Sequence, residues 1–591
     1  MIGRIVDIAR TYPNAPAVSM AGRTLSYADL DSASSRLANA IVARGIGVGD
    51  LVGIAVERSV ELIIAILGVL KTGAAYAAID PEYPPERVAQ MCAAVDMALV
   101  LTTEKGLGTR PPFGAPRLHL DRDRERIAAF ADTFELPELS PNDLVYVVFT
   151  SGSTGTPKAA AVHQAGWMNL MSWFVDEFKI SPQDRALIVS SFSFDITQRA
   201  IVMPLLAGGQ LHLCPFPTID AAAVLDQIRR DEISLLNCAP SAFYPLAESP
   251  ERAAAGRLRC LFLGGEPINA ARLQAWAEAS TTTTRVANVY GTAECSDVST
   301  FHVLSDYKRY IEQGVPAGHV ITNTRVHLLD DSGRPVSPGE VGEIVIAGVG
   351  VGKGYVNDLA ATRRKFIADP EVPDQIAYRS GDLGRWLPDV GLVFEGRADH
   401  QVKIRGNRVD LGDVESLLRQ DVRLRDAVAV KLEAGNAETL AAMLLVDGLP
   451  ADAEMLAAEV RKALARRAPV FMIPTHIEFV TAFPLNPNGK VDRPTIVKAF
   501  ERVASVQGAV EEKHTSTEQE IARIFSSILN VSSVGLDDNF FDLGGYSMLV
   551  TEALAEINSN LDAGVTIYDF LTGPTVRALA ERIAHEPATQ A

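Results

Sequence analysis

Residues 144–158 read LVYVVFTSGSTGTPK. The opening part, Leu144 to Phe149, is rich in β-branched and aromatic side chains, the composition of a buried strand. It runs directly into Thr150-Ser151-Gly152-Ser153-Thr154-Gly155-Thr156-Pro157-Lys158. Glycines let a backbone approach phosphate oxygens, and successive N–H groups make an anion nest. The hydroxyls add donors, and Lys158 adds a point charge. The spacing is not GxxxxGK[ST], which excludes a Walker-type P-loop. A Gly/Ser surface turn has the same composition, so the loop alone leaves nucleotide binding level with that plainer alternative.

On either side of this strand, short apolar runs alternate with amphipathic stretches. Helices are predicted at Asp29–Gly45, Val60–Thr72 and Ala222–Arg230. Strands are predicted at Leu51–Val56, Ala98–Thr102, Ala186–Val189, Ser234–Asn237 and Arg259–Leu263. Such alternation predicts an α/β fold with much parallel sheet. From about Asn323 the texture changes to short β runs between Gly/Pro turns, at Arg325–Leu329, Gly342–Ala347 and Leu392–Glu395. A smaller α/β unit follows from about Asp399 to Phe500. Residues 501–515 are polar and weakly patterned, as a linker would be. The last stretch is helical, at Thr517–Leu529, Met548–Ile557 and Thr575–Ala584.

Bulk properties narrow the function classes. At 591 residues the chain exceeds one hydrophobic core. Its net charge of −18 argues against nucleic acid and anionic membranes as partners. Residues 516–585 carry ten acidic and three basic side chains, a net of −7. The five cysteines form no CxxC pair, so neither a zinc site nor a disulfide framework is indicated, and a reducing cytoplasmic setting is expected. The N-terminus lacks an apolar signal core, and the run around Leu62–Leu70 is too short to span a bilayer.

Further motifs occur in order along the chain. They are Leu25-Ser26-Tyr27-Ala28-Asp29-Leu30, Leu70-Lys71-Thr72-Gly73-Ala74-Ala75-Tyr76 with Asp80, and Phe194-Asp195-Ile196-Thr197. Next come Asn288-Val289-Tyr290-Gly291-Thr292-Ala293-Glu294, Gly342-Glu343-Ile344 through Gly354-Tyr355, and Tyr378-Arg379-Ser380-Gly381-Asp382-Leu383. The set closes with Gly396-Arg397-Ala398-Asp399-His400-Gln401-Val402-Lys403-Ile404-Arg405-Gly406 and Asn488-Gly489-Lys490-Val491-Asp492-Arg493. Together with the Thr150–Lys158 loop, this order resembles the adenylation domains of nonribosomal peptide synthetases, within the adenylate-forming superfamily. Asp542-Leu543-Gly544-Gly545-Tyr546-Ser547-Met548, after Asn539-Phe540-Phe541, resembles the phosphopantetheine attachment site of peptidyl carrier proteins.

The resemblance implies a large α/β core over 1–398, with parallel and mixed sheets and a β subdomain. It also implies a small α+β lid over 399–500, a linker over 501–515 and a helical-bundle carrier over 516–585. It implies ATP, Mg2+ and 4'-phosphopantetheine as cofactors. The loop residues Thr150, Ser151, Gly152, Ser153, Thr154 and Gly155, together with Tyr290, Gly291, Thr292, Asp382 and Arg397, are implied to bind ATP. Tyr290 would lie near the adenine, and Asp382 would accept the ribose hydroxyls. Glu294 would hold Mg2+, which bridges phosphates. Lys158, Glu294 and Lys490 are the implied catalytic groups. Lys490 would stabilise charge on the attacked phosphate. Asp399 is the implied hinge of the lid. Ser547 is the implied attachment point.

Asp195 falls where amino-acid-activating relatives place a carboxylate. A buried α-ammonium needs such a counter-charge. A plain helix N-cap before Ile196 is the competing role. The side-chain pocket implied by the resemblance comprises Asp195, Ile196, Arg199, Asn237, Phe262, Gly264, Val289, Asp297 and Val298. Arg199 alone favours an acidic substrate and Asp297 a basic one, while a pair between them leaves a neutral polar site. An aliphatic substrate is not expected to be the best. One motif departs from the family pattern: Ala293 stands where a Thr hydroxyl usually bonds the α-phosphate, and Thr292 is the neighbour that could substitute.

The function implied is ATP-dependent activation of an amino acid and its transfer to the chain's own carrier, for nonribosomal peptide or related secondary-metabolite biosynthesis such as antibiotics. The sequence reads as a free-standing loading unit. Expected partners are a phosphopantetheinyl transferase and downstream condensation or tailoring enzymes. The rivals are an acyl- or aryl-CoA ligase, which Asp195 and the carrier tail oppose, and a non-catalytic scaffold, which rests on Ala293 alone.

Overall fold

The computed structural model describes all residues except 108–113, 151–156, 217–219, 280–283, 399–400, 405, 435–436, 451, 485–490, 505–515, 530–533, 537–538, 541–546, 562, 567–568, 571–572 and 586–591. The chain divides into two compact units, the first from most of residues 1–399 and the second chiefly from residues 400–591.

Local signals in the first unit fix its elements. The Tyr27–Val42 helix starts two residues before the predicted Asp29. Ser26 and Asp29 form a reciprocal capping box, which satisfies the first orphan N–H groups. The Val60–Thr72 helix is capped by Ser59 and stops at Gly73, whose φ of 79° is the left-handed turn that glycine adopts without steric cost. The Leu144–Thr150 strand pairs antiparallel with Lys158–His163, so Thr150 and Lys158 face each other across the hairpin.

That hairpin closes a six-stranded sheet whose other neighbours run parallel: Arg117–His119, Leu99–Thr102, Leu51–Ala55 and Ala75–Ala78. A nine-stranded sheet holds the parallel run Arg285–Tyr290, Cys260–Gly264, Leu235–Cys238, Arg185–Ile188, Gln210–Leu213 and Pro16–Met20. These central strands are buried nearly throughout, which is why they read as apolar runs rather than alternating ones. The predicted β texture after Asn323 is a five-stranded antiparallel sheet built around Val341–Gly348 and Ile376–Leu387.

The second unit begins with the Gln401–Ile404 and Asn407–Asp410 hairpin. A three-stranded sheet of Asp426–Ala434, Ala437–Leu445 and His476–Val480 follows. It packs with the helices Leu411–Leu418, Ala453–Ala465 and Arg493–Ala504 in an α+β arrangement. The last of these helices runs four residues into the segment expected as a linker, with Ile496 and Phe500 buried, and residues 505–515 lie outside the described residues. The C-terminal helices Ser516–Leu529, Ser547–Leu561 and Val576–His585 surround Phe525, Phe540 and Phe570, whose rings meet at 4.5 to 5.6 Å. No helix among the described residues is long and apolar enough to cross a membrane.

Candidate active site

Four parallel strands of the nine-stranded sheet end together, at Ile188, Cys238, Gly264 and Tyr290. In open α/β sheets, ligands bind just beyond the carboxyl ends of strands. Several of the predicted site residues lie at or just beyond these ends. Asn237 pairs in register with Phe262, and Gly264 with Val289. Gly264 suits its place, because a Cβ there would stand 2.8 Å from the Val289 side chain and 2.9 Å from its carbonyl.

Beyond Tyr290 the chain folds back tightly. Asp297 and Cys295 donate their backbone N–H groups to the Thr292 carbonyl, at 3.0 and 2.9 Å, and Ser299 donates to Tyr290 at 2.8 Å. Gly291 permits this return. A Cβ at that position would lie 1.8 Å from the Asp297 carbonyl oxygen. The turn holds Ser296 and Asp297 at φ of 57° and 78°, a conformation that side-chain-bearing residues rarely adopt and that tends to mark functional turns. Val298, next in the chain, is buried at the same turn.

One group of residues forms around Asp382. The Tyr290 hydroxyl donates to Asp382 Oδ2 at 2.6 Å, and Arg397 pairs with Asp382 Oδ1. Arg397 also donates to the Ser380 carbonyl at 3.1 Å. Burial, and then the Asp382 charge, lift the Tyr290 hydroxyl well above its usual range, so it stays protonated and donates. Each carboxylate oxygen has two lone pairs, which leaves Asp382 able to accept further hydroxyls.

A second group forms around Tyr355. Its hydroxyl donates to Glu294 Oε1 at 2.7 Å and lies 3.3 Å from the Tyr378 hydroxyl. The Lys158 ammonium sits 5.7 Å above its ring, in the range of a cation–π contact. Backbone bonds from Ala161 to Gly354 and from Val356 to Ala159 tie Tyr355 to the Lys158–His163 strand. Tyr355 and Tyr378 lay inside the motifs, yet nothing in sequence gave them partners. Among the described residues no cluster of His, Cys, Asp and Glu could hold a metal by itself. The buried Glu294 carboxylate fits Mg2+ nonetheless, because Mg2+ commonly takes one or two carboxylates and completes its shell with phosphate and water.

The third group gathers residues predicted for the substrate side-chain pocket. Arg199 Nη1 pairs with Asp297 Oδ2 at 2.5 Å, and Arg199 Nε donates to Asn237 Oδ1 at 3.1 Å. The Phe174 ring lies 5.0 Å from the guanidinium. Arg199 is 0% exposed and Asp297 6%. Burial lifts the Asp297 carboxyl to about 7, with Arg199 opposing and Asp195 adding to the rise. Of the alternatives open in sequence, the pairing of Arg199 with Asp297 is the one present. Asp195 is the first residue of the Asp195–Leu206 helix, with Phe194 in the cap position, and its Oδ1 accepts from Ile196 N at 2.8 Å. It shares electrostatics with Asp297 and with Tyr146, a buried tyrosine that sequence did not mark. Ile196 and Asp195 are half-buried, while Phe262 and Val289 are buried.

Thr150 donates to the Lys158 carbonyl at 3.4 Å. Ser151, Gly152, Ser153, Thr154 and Gly155 of the loop, the hinge candidate Asp399 and the lysine candidate Lys490 lie outside the described residues. Residues 541–546 of the carrier motif do too, while Ser547 opens the Ser547–Leu561 helix.

Residues 6–356 match the family described as AMP-binding enzyme, and residues 519–583 match the phosphopantetheine attachment site. The chain belongs to the AMP-binding enzyme family. It is 34% identical to tyrocidine synthase 3 of Brevibacillus parabrevis over 592 residues, which cover 99% of this chain and 9% of that protein. It is 32% identical to tyrocidine synthase 1 of the same organism over 97% of this chain and 51% of that protein. The chain thus spans about half or less of the length of these relatives. Among solved structures it is similar to holo-PA1221, an NRPS protein containing adenylation and PCP domains, with a TM-score of 0.80 and 27% identity over 99% of this chain and 96% of that one. This AMP-binding enzyme is an adenylation domain joined to a peptidyl carrier domain, of the nonribosomal peptide synthetase type. Its fold and its use of ATP and 4'-phosphopantetheine follow from that membership.

Proposed function

We propose that this enzyme condenses an amino acid with ATP to give the aminoacyl-adenylate and pyrophosphate, then transfers the acyl group to the pantetheine thiol carried on Ser547 of its own carrier domain, with release of AMP. The observation that carries this is the Tyr290–Asp382–Arg397 cluster, in which Tyr290 at the end of a strand of the nine-stranded sheet meets Asp382 and Arg397 of the five-stranded sheet. Asp195, at the start of the Asp195–Leu206 helix, supports the reading as a counter-charge for an α-ammonium.

In this account Asp382 accepts the ribose hydroxyls while Tyr290 and Arg397 hold its carboxylate in place. Asp195 grips the α-ammonium. Lys158 and the loop Thr150, Ser151, Gly152, Ser153, Thr154 and Gly155 steady the phosphates, and Gly291 and Thr292 line their path. Lys490 meets the substrate carboxylate and the attacked phosphate, where a cation stabilises the charge that develops in the transition state. Glu294 would hold Mg2+, which would supply charge neutralisation for the phosphates. The pantetheine arm supplies a thiol as acyl acceptor when bound. No protein nucleophile is needed, so rate comes from positioning and charge stabilisation. Asp399 is the hinge that carries the 399–500 lid between the two half-reactions. A phosphopantetheinyl transferase and downstream condensation or tailoring enzymes are the partners this chemistry requires.

Amino-acid-dependent exchange of labelled pyrophosphate into ATP tests the first half-reaction. Exchange above background with one amino acid supports the assignment, and its absence across all proteinogenic amino acids contradicts it.

A further inference from the structure

Two of the buried polar atoms without a partner lie on residues predicted for the substrate side-chain pocket. Among the described residues, Arg199 Nη2 and Asn237 Nδ2 are fully shielded and meet no hydrogen-bond acceptor. Their residues are 0% and 3% exposed. Buried polar groups in folded proteins are almost always paired, so two idle ones in contact ask for an explanation. They are joined through one bond: Arg199 Nε donates to Asn237 Oδ1 at 3.1 Å. Nε and Nη2 share one edge of the planar guanidinium, so the idle Nη2 lies on the edge that meets Asn237. Both idle atoms are donors, and neither can accept. The missing group is therefore an acceptor.

The place of the pair says what supplies it. Asn237 stands near the carboxyl end of a parallel strand, in register with Phe262. Arg199 is on the helix that begins at Asp195. Resting on the amino-acid-activating function proposed above, we infer that the substrate side chain ends in a carbonyl oxygen that accepts from Arg199 Nη2 and Asn237 Nδ2. A carboxamide, a ureido group and a carboxylate share that chemistry. A cationic side chain is excluded, because Asp297 already answers Arg199 through Nη1. An aliphatic side chain leaves both donors unmet. Asp297 is then a positioning residue that aims the guanidinium and does not meet an ammonium of the substrate.

The test is pyrophosphate exchange by the full chain with L-glutamine, L-asparagine, L-citrulline, L-glutamate and L-aspartate, against L-norleucine, L-leucine, L-lysine and L-ornithine. The best kcat/KM belongs to the carbonyl-bearing set and exceeds that of L-norleucine by roughly 100-fold or more, as expected for a site built around a buried hydrogen bond. The carboxamide, ureido and carboxylate members then rank themselves. Asn237→Asp keeps the acceptor for Arg199 Nε and removes the idle donor. It lowers the preference for the best substrate over L-norleucine by about 10-fold or more, with KM for ATP unchanged. Asn237→Leu does the same where it folds, which a thermal melt reports. A basic or aliphatic amino acid as best substrate, or a preference untouched in Asn237→Asp, overturns the inference while leaving amino-acid activation intact. Exchange with no amino acid overturns the activation itself, and the inference with it.

Discussion

The two halves of the site are finished to different degrees. Around Asp382 and Tyr355, the hydroxyls and the Asp382 and Glu294 carboxylates have protein partners: Tyr290 and Arg397 on Asp382, and Tyr355 on Glu294. Around Arg199 the network stops short, with Nη2 of Arg199 and Nδ2 of Asn237 buried and unpaired among the described residues. In the function proposed above, the first half serves ATP, which does not change and for which it can be braced in advance, and the second takes the substrate side chain, to which part of its bonding is left. Preorganised dipoles serve catalysis, whereas donors that lack a partner serve discrimination.

The comparison predicts where mutations hurt. The largest effect is expected at Asp382→Ala, which strips Tyr290 and Arg397 of their shared acceptor. Loss of the acceptor proposed for the ribose hydroxyls lowers kcat/KM for ATP by roughly 1,000-fold, and loss of the Arg397 ion pair separately lowers the melting temperature, although Arg397 keeps the Ser380 carbonyl. Arg199→Met comes next. It lowers kcat/KM for the best amino acid by about 100-fold and leaves KM for ATP unchanged. Steady-state exchange kinetics with each substrate varied in turn separate the two, and a matching change in the ATP parameters would erase the division between the halves.

Thr292→Val should cost less. Its hydroxyl is buried with no hydrogen-bond partner among the described residues, and Ala293 has no hydroxyl to offer a phosphate. A hydrogen bond to a charged group is worth about 1.5–3 kcal/mol, so kcat falls by tenfold or more while the melting temperature holds or rises. A lower melting temperature with kcat unchanged would make Thr292 structural. The smallest effect concerns pH. Burial raises Asp297 to about 7 against the opposing Arg199 charge. A carboxyl raised on folding adds stability that is full below its unfolded range near 4 and is lost as pH rises through about 7. Arg199 and Asp195 on one helix and the Tyr146 hydroxyl are the groups that face it. Between pH 5 and 8 the melting temperature of the parent should therefore fall more than that of Asp297→Asn.

Much of the first half could be read in sequence because its residues sit inside contiguous motifs. Tyr290, Gly291, Thr292 and Glu294 follow one strand, and Asp382 and Arg397 pair across adjacent strands of the antiparallel sheet. The strand signals worked because central parallel strands are apolar on both faces. What sequence left open was long-range pairing. Arg199 and Asp297 are 98 positions apart, and only the tight return at Gly291 brings the carboxylate to the guanidinium. Tyr355 was visible as a motif residue, but its place between Glu294 and Lys158 depends on backbone bonds to a strand nearly 200 positions away.

Mass spectrometry of the peptide bearing pantetheinylated Ser547, after incubation with ATP and a mixture of amino acids, tests the central assignment most directly. The account predicts one ATP-dependent mass increase on the pantetheine arm, equal to a single carbonyl-bearing aminoacyl group and absent in Ser547→Ala. An arm that gains nothing with ATP present would contradict it.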